Sequence, residues 1–297
     1  MRDLFQLPTR LDKIENELTK KQGIHLYLKR DDLIHPEISG NKWRKLKYNI
    51  EEAKRQQKHT LLTFGGAYSN HITATAATGK YVGFKTIGII RGEEHLPLNA
   101  SLQFAQNSGM QLHYIDRTTF KKLHILEDNF NPSSLNINIG CDINEVYIIP
   151  EGGANKLALK GCSEMVDEIQ EINFDYICCA SGTGATIAGI ASNLKPPQQA
   201  MGFAVLKHEN LAEEIKHKFQ LDANFTIYNT NTAYAKTTPE LLKFIHDFQL
   251  EQGILLDYVY TGKMLFYLFK LIEQNYFPQN TTIVAVHTGG VMNARVG

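Results

Sequence analysis

Short apolar segments alternate with longer helical segments along most of the chain. Segments rich in Val, Ile, Leu and Phe predict buried strands at 24–28, 60–64, 86–90, 112–115, 146–149, 176–179, 199–205, 225–228 and 282–286. Amphipathic or small-residue segments between them predict helices at 43–57, 70–80, 98–108, 157–171, 211–219, 239–251 and 262–274. Strands that alternate with helices build parallel sheets, because each helix returns the chain to the same edge of the sheet. The pattern predicts an α/β fold with parallel or mixed sheets flanked by helices.

Two stretches are less regular. Residues 1–24 predict a polar, partly helical segment, since apolar residues recur at helical spacing between 12 and 18. The stretch 117–145 has no clear period and contains a predicted loop at 129–134. The charged run Lys29-Arg30-Asp31-Asp32 follows a predicted strand, and its charges alone indicate a solvated loop as readily as a functional motif.

Composition excludes several classes of function. The 297 residues carry 31 Lys and Arg against 31 Asp and Glu, so no nucleic-acid partner is expected, since such partners require a basic face. No apolar run approaches the ~18 residues that span a membrane, and the first residues lack the apolar core of a signal peptide. We therefore expect a cytoplasmic protein that has no membrane partner.

The four cysteines lack the spacing of a metal site. They are Cys141, Cys162, Cys178 and Cys179, and the last two are adjacent on a predicted strand, so they point to opposite faces. We expect buried free thiols, as is usual in a reducing compartment, and no metal site.

Lys42 follows a turn that favours the start of a helix. In Ser39-Gly40-Asn41-Lys42, Gly40 permits a tight turn and Asn41 is a good N-cap. The cations Arg44 and Lys45 disfavour a charged amine at Lys42, and a free amine is what Schiff-base chemistry needs. The alternative interpretation is a solvated basic helix.

The loop Ser181-Gly182-Thr183-Gly184-Ala185-Thr186 follows a predicted strand and precedes a helix. Its glycines let backbone N–H groups converge on an anion, and Thr183 and Thr186 add hydroxyl donors. A dinucleotide site would require a third glycine where Ile187 stands, and a nucleotide-triphosphate loop would require a Gly-Lys pair. A single phosphate therefore fits this loop best, although a simple tight turn is the structural alternative.

A second loop, Gly65-Gly66-Ala67-Tyr68-Ser69-Asn70-His71, has the same strand–turn–helix pattern. Its backbone amides can hold a carboxylate. Ser69 can serve as an N-cap, a role that does not exclude a functional one. His71 has no evident partner in the sequence, so a core or surface histidine is the simpler interpretation of this residue.

Taken in chain order, these motifs resemble the D-cysteine desulfhydrase / 1-aminocyclopropane-1-carboxylate (ACC) deaminase family. The resemblance covers nearly the whole chain. Besides Lys29–Asp32, Ser39–Lys42 and Gly65–His71, it includes Pro150-Glu-Gly-Gly153, Ser181-Gly-Thr-Gly184, Tyr234-Ala-Lys-Thr-Thr238, Tyr260-Thr-Gly-Lys263 and His287-Thr-Gly-Gly290. Members are pyridoxal-phosphate (PLP) enzymes with the two-lobed fold of the tryptophan synthase β-subunit. The ordered series is specific, whereas any one glycine-rich piece is not.

The resemblance implies a role for each matching residue. Lys42 would hold PLP. Ser69 would lie over the reacting carbon, and Asn70 would bond the 3′-oxygen of PLP. Ser69, Asn70 and His71 would frame the substrate carboxylate. The phosphate would be bound by Gly182, Thr183, Gly184 and Thr186, and the two tyrosines that face substrate would be Tyr234 and Tyr260.

Thr261 departs from the deaminase branch of the family, which carries Glu at this position against the pyridine nitrogen. A carboxylate keeps that nitrogen protonated and makes the ring a strong electron sink, whereas a threonine hydroxyl does not. Elimination of a β-substituent tolerates a weaker sink, because the leaving group carries electrons away. Opening a cyclopropane needs the stronger sink, so Thr261 favours elimination.

The resulting hypothesis is a PLP-dependent deaminating lyase. We expect α,β-elimination on a small amino acid such as D-cysteine, giving pyruvate, ammonia and sulfide. The alternatives are an ACC deaminase, a dehydratase of β-hydroxy amino acids, and a PLP-binding or ligand-sensing protein without turnover. The resemblance also implies a homodimer, and a small domain at 45–150 beside a large domain formed by 1–44 and 151–297.

Overall fold

The computed structural model describes residues 4–38, 40–123, 138–233 and 235–290. They form two compact units, one of Lys42–Ala158 and one of Arg2–Asn41 with Leu159–Gly297. The division into domains at 45–150 and at 1–44 with 151–297 stays a prediction. The loop expected at 129–134 lies outside the described residues.

Strands and helices alternate along most of the described chain, as the apolar periodicity predicts. The strands are β1 (Leu11–Ile14), β2 (His25–Lys29), β3 (Thr60–Gly66), β4 (Lys85–Arg91), β5 (Met110–Ile115), β6 (Val146–Ile149), β7 (Tyr176–Ser181), β8 (Gln199–Ala204), β9 (Phe225–Asn229) and β10 (Thr282–Val286). The α-helices are α1 (Glu17–Gln22), α2 (Asn41–Arg55), α3 (Asn70–Val82), α4 (Ala100–Asn107), α5 (Arg117–Leu123), α6 (Lys156–Asp167), α7 (Ala185–Ala191), α8 (Leu211–Phe219), α9 (Pro239–Gln252) and α10 (Thr261–Glu273).

The unit Lys42–Ala158 contains a four-stranded parallel sheet in the order β5-β4-β3-β6. Helices cover both faces of this sheet. On one face, Ile72 of α3 and Leu102 of α4 pack with Ile90 of β4. On the other face, Phe120 of α5 packs with Ile89. Successive residues of a strand point to opposite faces, so β4 contributes to both halves of this core.

The second unit contains a six-stranded sheet in the order β1-β2-β10-β7-β8-β9. Only β1 runs antiparallel to its neighbour, so the sheet is mixed. Its central strands are continuous apolar runs, because both of their faces are buried. Leu265 and Leu268 of α10 pack in the same cluster as Phe203 of β8 and Ile283 of β10. The parallel strands β7 and β10 end at the same sheet edge, and the loop that follows β7 carries Gly182, Thr183 and Gly184.

The partly helical character expected for residues 1–24 is confirmed by α1. The helical spacing at 12–18 is misplaced, because β1 occupies the first part of that stretch and pairs with β2. Asn16 stops the helical pattern from extending upstream. Its side chain accepts a hydrogen bond from Thr19 N, and α1 begins only after this cap. In the stretch expected to be irregular, Asp116 caps α5 by accepting hydrogen bonds from the amides of Thr118 and Thr119.

The structure also bears on the expected burial of the cysteines and on membrane-spanning helices. Cys162, Cys178 and Cys179 are buried, as expected, and Cys141 is half-buried. Burial raises the pKa of the Cys178 thiol above its usual range, so this thiol is inert. Among the described residues, no helix has the length and apolar character needed to cross a bilayer.

The charged run after β2 is not a solvated loop, so that interpretation is wrong. Lys29 and Asp31 are completely buried. Lys29 Nζ donates to Glu168 Oε2 at 2.6 Å and to the backbone oxygen of Thr9 at 2.8 Å, and it also contacts the hydroxyl of Thr9. Thr9 Oγ1 in turn donates to Asp31 Oδ1 at 2.7 Å. This closed network ties the N-terminal segment to β2 and to the segment after α6.

We predict that Lys29→Met lowers the free energy of unfolding by about 3–5 kcal/mol, because it removes the buried cation that bonds Glu168 and lies 4.0 Å from the buried carboxylate of Asp31. Urea denaturation of the variant measures the change. Lys13→Met is the matched control, since Lys13 pairs with Glu15 and its side chain is 50% exposed. The control should lose at most about 1 kcal/mol. Equal losses in the two variants would contradict the proposed importance of the buried network.

Candidate active site

Lys42 lies in the first turn of α2, and its helix is not a solvated basic helix. Arg44 and Lys45 are buried, with exposed fractions of 1% and 3%, and Lys42 is half-buried. Lys45 Nζ donates to the backbone oxygen of Gly152 at 3.1 Å. The interpretation as a solvated face is therefore wrong, and the amine of Lys42 belongs to a helix whose neighbouring cations are buried.

The turn between β3 and α3 holds Ser69 and Asn70 in the same unit as Lys42. Ser69 is the N-cap of α3, and its Oγ accepts from His71 N at 3.2 Å and from Ile72 N at 3.4 Å. A side chain at Gly65 would reach within 2.8 Å of that Oγ, so glycine is required there. As an acceptor in the cap, Ser69 keeps its own hydroxyl proton for another partner. Ser69 and Asn70 are half-buried, and their functional roles stay predictions.

His71 is a buried residue of this turn, with 1% of its surface exposed. Its Nε2 lies 2.8 Å from Thr63 Oγ1, which donates to the backbone oxygen of Ile149 at 2.8 Å. Burial holds the pKa of His71 well below its usual range, and the positive charges of Lys42 and Lys45 act in the same direction. The interpretation as a core histidine is therefore the right one for the side chain, and its role at the substrate carboxylate stays a prediction.

The loop after β7 has two glycines with different requirements. Gly184 has φ +83°, and an added Cβ would lie 2.3 Å from Ile215 of α8, so packing and backbone conformation both demand glycine. Gly182 meets neither demand: an added Cβ would have its nearest neighbour, the ring of Tyr260, at 3.7 Å. A glycine without a packing reason at a strand end is typical of a backbone that a ligand approaches closely.

Asn41 takes a role that sequence reasoning missed. It is the first residue of α2, and its Nδ2 donates to Thr186 Oγ1 at 2.9 Å. Its backbone N–H donates to the oxygen of Thr288 at 3.3 Å, and a side chain at Gly40 would collide with the same carbonyl. Asn41 is buried, and its Oδ1 has no hydrogen-bond partner among the described residues. Because the Thr186 hydroxyl accepts from Asn41, its own proton is available to a ligand.

The backbone at Tyr260 and Thr261 is held by the carboxylate of Asp257, a residue that sequence reasoning missed. Asp257 Oδ2 accepts from the amide of Tyr260 at 2.6 Å, and Oδ1 accepts from the amide of Thr261 at 2.8 Å. Burial raises the pKa of Asp257, while these backbone hydrogen bonds and His287 oppose the shift. The detectable signal was an aspartate just before a helix start, which is a capping pattern.

Thr261 is completely buried at the start of α10. Its Oγ1 lies 3.3 Å from Thr288 Oγ1 and accepts from the backbone N–H of Thr288 at 3.3 Å.

Thr183 is half-buried in the loop after β7. The other expected tyrosine, Tyr234, lies outside the described residues. The described ranges contain no cluster of His, Cys, Asp and Glu that could hold a metal ion.

Known proteins match this chain in sequence and in fold along nearly its whole length. A family profile described as "Pyridoxal-phosphate dependent enzyme" matches residues 4–289. A Pyrococcus horikoshii protein, provisionally named a 1-aminocyclopropane-1-carboxylate deaminase, is 30% identical over 292 residues, 92% of this chain and 87% of its own length. An Arabidopsis thaliana protein named a mitochondrial bifunctional D-cysteine desulfhydrase/1-aminocyclopropane-1-carboxylate deaminase is 30% identical over 300 residues, 91% of this chain and 73% of its own. A crystal structure of an ACC deaminase homologue superposes with TM-score 0.82 at 27% identity, covering 97% of this chain and 91% of that one.

The residues present fit PLP. The loop from Ser181 to Thr186 contains no acidic side chain, so nothing in it repels a phosphate. Gly182 leaves its backbone accessible, and the hydroxyl proton of Thr186 is not used by Asn41. The buried Oγ of Ser181 has no partner among the described residues. These groups would hold the phosphate of PLP. The role of the Lys42 amine at the aldehyde of PLP stays a prediction.

We predict that Asn41→Asp weakens PLP binding by about 10- to 100-fold, the range expected for losing a hydrogen bond to a charged group. The new carboxylate would accept the Thr186 proton that the phosphate otherwise receives, and it would add a negative charge. Titration of the apoprotein with PLP, followed by absorbance, measures the dissociation constant. Asn107→Asp, the same substitution on an exposed residue of α4, is the control. Equal PLP affinity in the two variants would contradict a role for Asn41 in binding the phosphate.

Proposed function

The chain belongs to the family of PLP-dependent enzymes, and to its D-cysteine desulfhydrase and ACC deaminase branch, and from that premise we propose that it is a β-eliminating deaminase of D-cysteine. In the overall reaction D-cysteine and water give pyruvate, ammonia and hydrogen sulfide. The expected homodimer and cytoplasmic location belong to the same proposal.

The proposed chemistry assigns one task to each group of residues. Bound PLP supplies an electron sink for the negative charge that develops when an amino acid loses its α-proton. The amine of Lys42 takes that proton. The turn at Ser69 and Asn70 binds the substrate carboxylate with backbone and side-chain donors. The loop from Gly182 to Thr186 donates to the phosphate and so fixes the cofactor against rotation.

Thr261 is the observation that carries the choice of reaction. Its hydroxyl is buried and exchanges hydrogen bonds with the uncharged Thr288. A neutral hydroxyl can donate to an unprotonated ring nitrogen or accept from a protonated one, but it does not enforce protonation as a carboxylate does. The cofactor is then a moderate sink, which is sufficient when a thiolate leaves with the bonding electrons.

Asp257 does not supply the carboxylate that Thr261 lacks. Both oxygens of Asp257 accept backbone N–H groups, from Tyr260 and from Thr261. Three backbone amides, those of Val259, Tyr260 and Thr261, bond this carboxylate, so we assign it to fixing the loop and not to the ring nitrogen. The neutral character of Thr261 therefore supports elimination over ring opening.

ACC deamination is the second candidate, and the names of the relatives favour it. In that reaction ACC and water would give 2-oxobutyrate and ammonia. The Arabidopsis relative is named for both activities, so the family relationship alone does not separate them. The two candidates differ in the sink that they require, and Thr261 is the residue at which the chain can be tested.

We predict that the unmodified protein has a higher kcat/KM with D-cysteine than with ACC, and that Thr261→Glu shifts this ratio towards ACC. A carboxylate at this position raises the pKa of the ring nitrogen, and each pKa unit is worth about 1.4 kcal/mol between the two protonation states. Pyruvate, sulfide and 2-oxobutyrate are quantified with both substrates.

Thr261→Ser is the matched control, because it keeps the hydroxyl and should keep the preference for D-cysteine. The comparison of substrates in the unmodified protein tests the proposal even where a buried Glu impairs folding. A higher kcat/KM for ACC than for D-cysteine in the unmodified protein would refute the assignment.

A further inference from the structure

The hydrogen atoms of the His71 ring are fixed by its neighbour. Thr63 Oγ1 carries a single proton and donates it to the backbone oxygen of Ile149 at 2.8 Å. In its 2.8 Å contact with His71 Nε2, the Thr63 oxygen is therefore the acceptor, and Nε2 carries the hydrogen. A neutral imidazole has one N–H, so Nδ1 of His71 is a bare lone pair.

Two effects keep the His71 ring neutral, namely its burial and the positive charges of two lysines. His71 is 1% exposed, so charging it would place an ion in a poorly solvated environment. Lys42 and Lys45 of α2 add positive charge that opposes a second proton, and burial and these charges together hold the pKa of His71 well below its usual range. His71 is thus a hydrogen-bond acceptor at Nδ1 throughout the physiological range of pH.

The acceptor is unused within the described structure. Nδ1 of His71 is buried and has no hydrogen-bond partner among the described residues. A buried polar atom without a partner costs about 1–3 kcal/mol, so such an atom calls for a functional explanation. A Cβ on Gly153 would lie 3.7 Å from Nδ1 and 3.3 Å from the Cβ of Lys45, so the His71 ring and α2 approach the same glycine. The charges of Lys42 and Lys45 both act on this ring. Lys42 and Lys45 are three residues apart and share a helix face.

We propose that His71 is the positioning residue of Lys42, and that its Nδ1 accepts a hydrogen bond from the Lys42 amine while that amine removes the substrate α-proton. A free amine has two N–H groups and one lone pair. Committing one N–H to a fixed acceptor stops rotation about the Cε–Nζ bond and aims the lone pair. This inference rests on the proposed role of Lys42.

The hydrogen bond from Lys42 to Nδ1 of His71 becomes stronger when the amine takes up the α-proton. The α-proton moves from the substrate carbon to Nζ of Lys42, and the amine becomes an ammonium. The hydrogen bond to Nδ1 is then charge-assisted, and such bonds are roughly twice as strong as neutral ones. His71 takes no proton itself, since burial disfavours its charged form.

Two substitutions at position 71 separate the two ring nitrogens. In His71→Gln the amide reaches the place of Nε2, so it keeps the donor to Thr63 but offers no acceptor at the place of Nδ1. In His71→Asn the shorter amide puts an oxygen near the place of Nδ1 and gives up the contact with Thr63. A role in packing alone predicts the opposite ranking, because the Gln variant fills the site better.

The test is α-hydrogen exchange of D-alanine and L-alanine by the holoenzyme in D2O, followed by proton NMR. Alanine has no β-leaving group, so exchange reports proton removal alone. We expect the Gln variant to lose about 10- to 100-fold in exchange rate, the scale of effect for a misplaced catalytic group, and the Asn variant to recover most of it. PLP affinity should stay within about twofold in both, because neither amide contacts the phosphate loop in this account.

A second variant and a second readout keep the proposal open to refutation. Thr63→Val leaves the imidazole in place but removes the contact that fixes its tautomer, so exchange should fall. In apoprotein labelled with 15N-histidine, the His71 signal is identified by its absence from the Gln variant, and it should show hydrogen on Nε2 only, from pH 5 to 8. Hydrogen on Nδ1, or exchange that is unchanged in the Gln variant, would overturn the role of His71. A wild-type protein that neither exchanges alanine nor acts on D-cysteine would overturn the proposed function as well.

Discussion

The hydrogen bond from Asn41 to Thr186 is the contact on which the account of the site depends. It joins residues 145 positions apart and fixes the first residue of α2 against the loop after β7. Gly40 supports it from the other side, since its positive φ and its contact with the Thr288 carbonyl leave room for no side chain. Lys42 is the next residue in the chain, so the start of its helix is set by groups that also form the proposed phosphate site.

Two of the residues to which we assign chemical roles, Thr261 and His71, present uncharged donors or acceptors. Thr261 and Thr288 share a hydroxyl pair, and His71 offers a lone pair without a charge. Two charged side chains bond backbone groups. Asp257 accepts hydrogen bonds from backbone amides, and Lys45 donates one to a backbone oxygen. In the proposed reaction, the uncharged hydroxyl of Thr261 leaves the cofactor ring a moderate electron sink.

Local signals predicted much of the fold, whereas the contacts that define the site are long-range. The buried strands follow from apolar runs, and the N-cap role of Ser69 follows from a serine before a helical segment. The strand β1 was missed because its pairing with β2 competes with a helical period that is equally visible in the sequence. The tautomer of His71 depends on a carbonyl at Ile149, and the role of Asn41 depends on Thr186, so neither is encoded within a sequence window.

The most direct measurement of the central claim is to identify the lysine that holds PLP. Reduction of the holoenzyme with borohydride makes the bond between cofactor and amine permanent, and peptide mapping by mass spectrometry then locates it. We expect modification at Lys42 alone. Modification at Lys45, at Lys47 or at the buried Lys263 would contradict it, because the turn at Asn41 would then position the wrong residue.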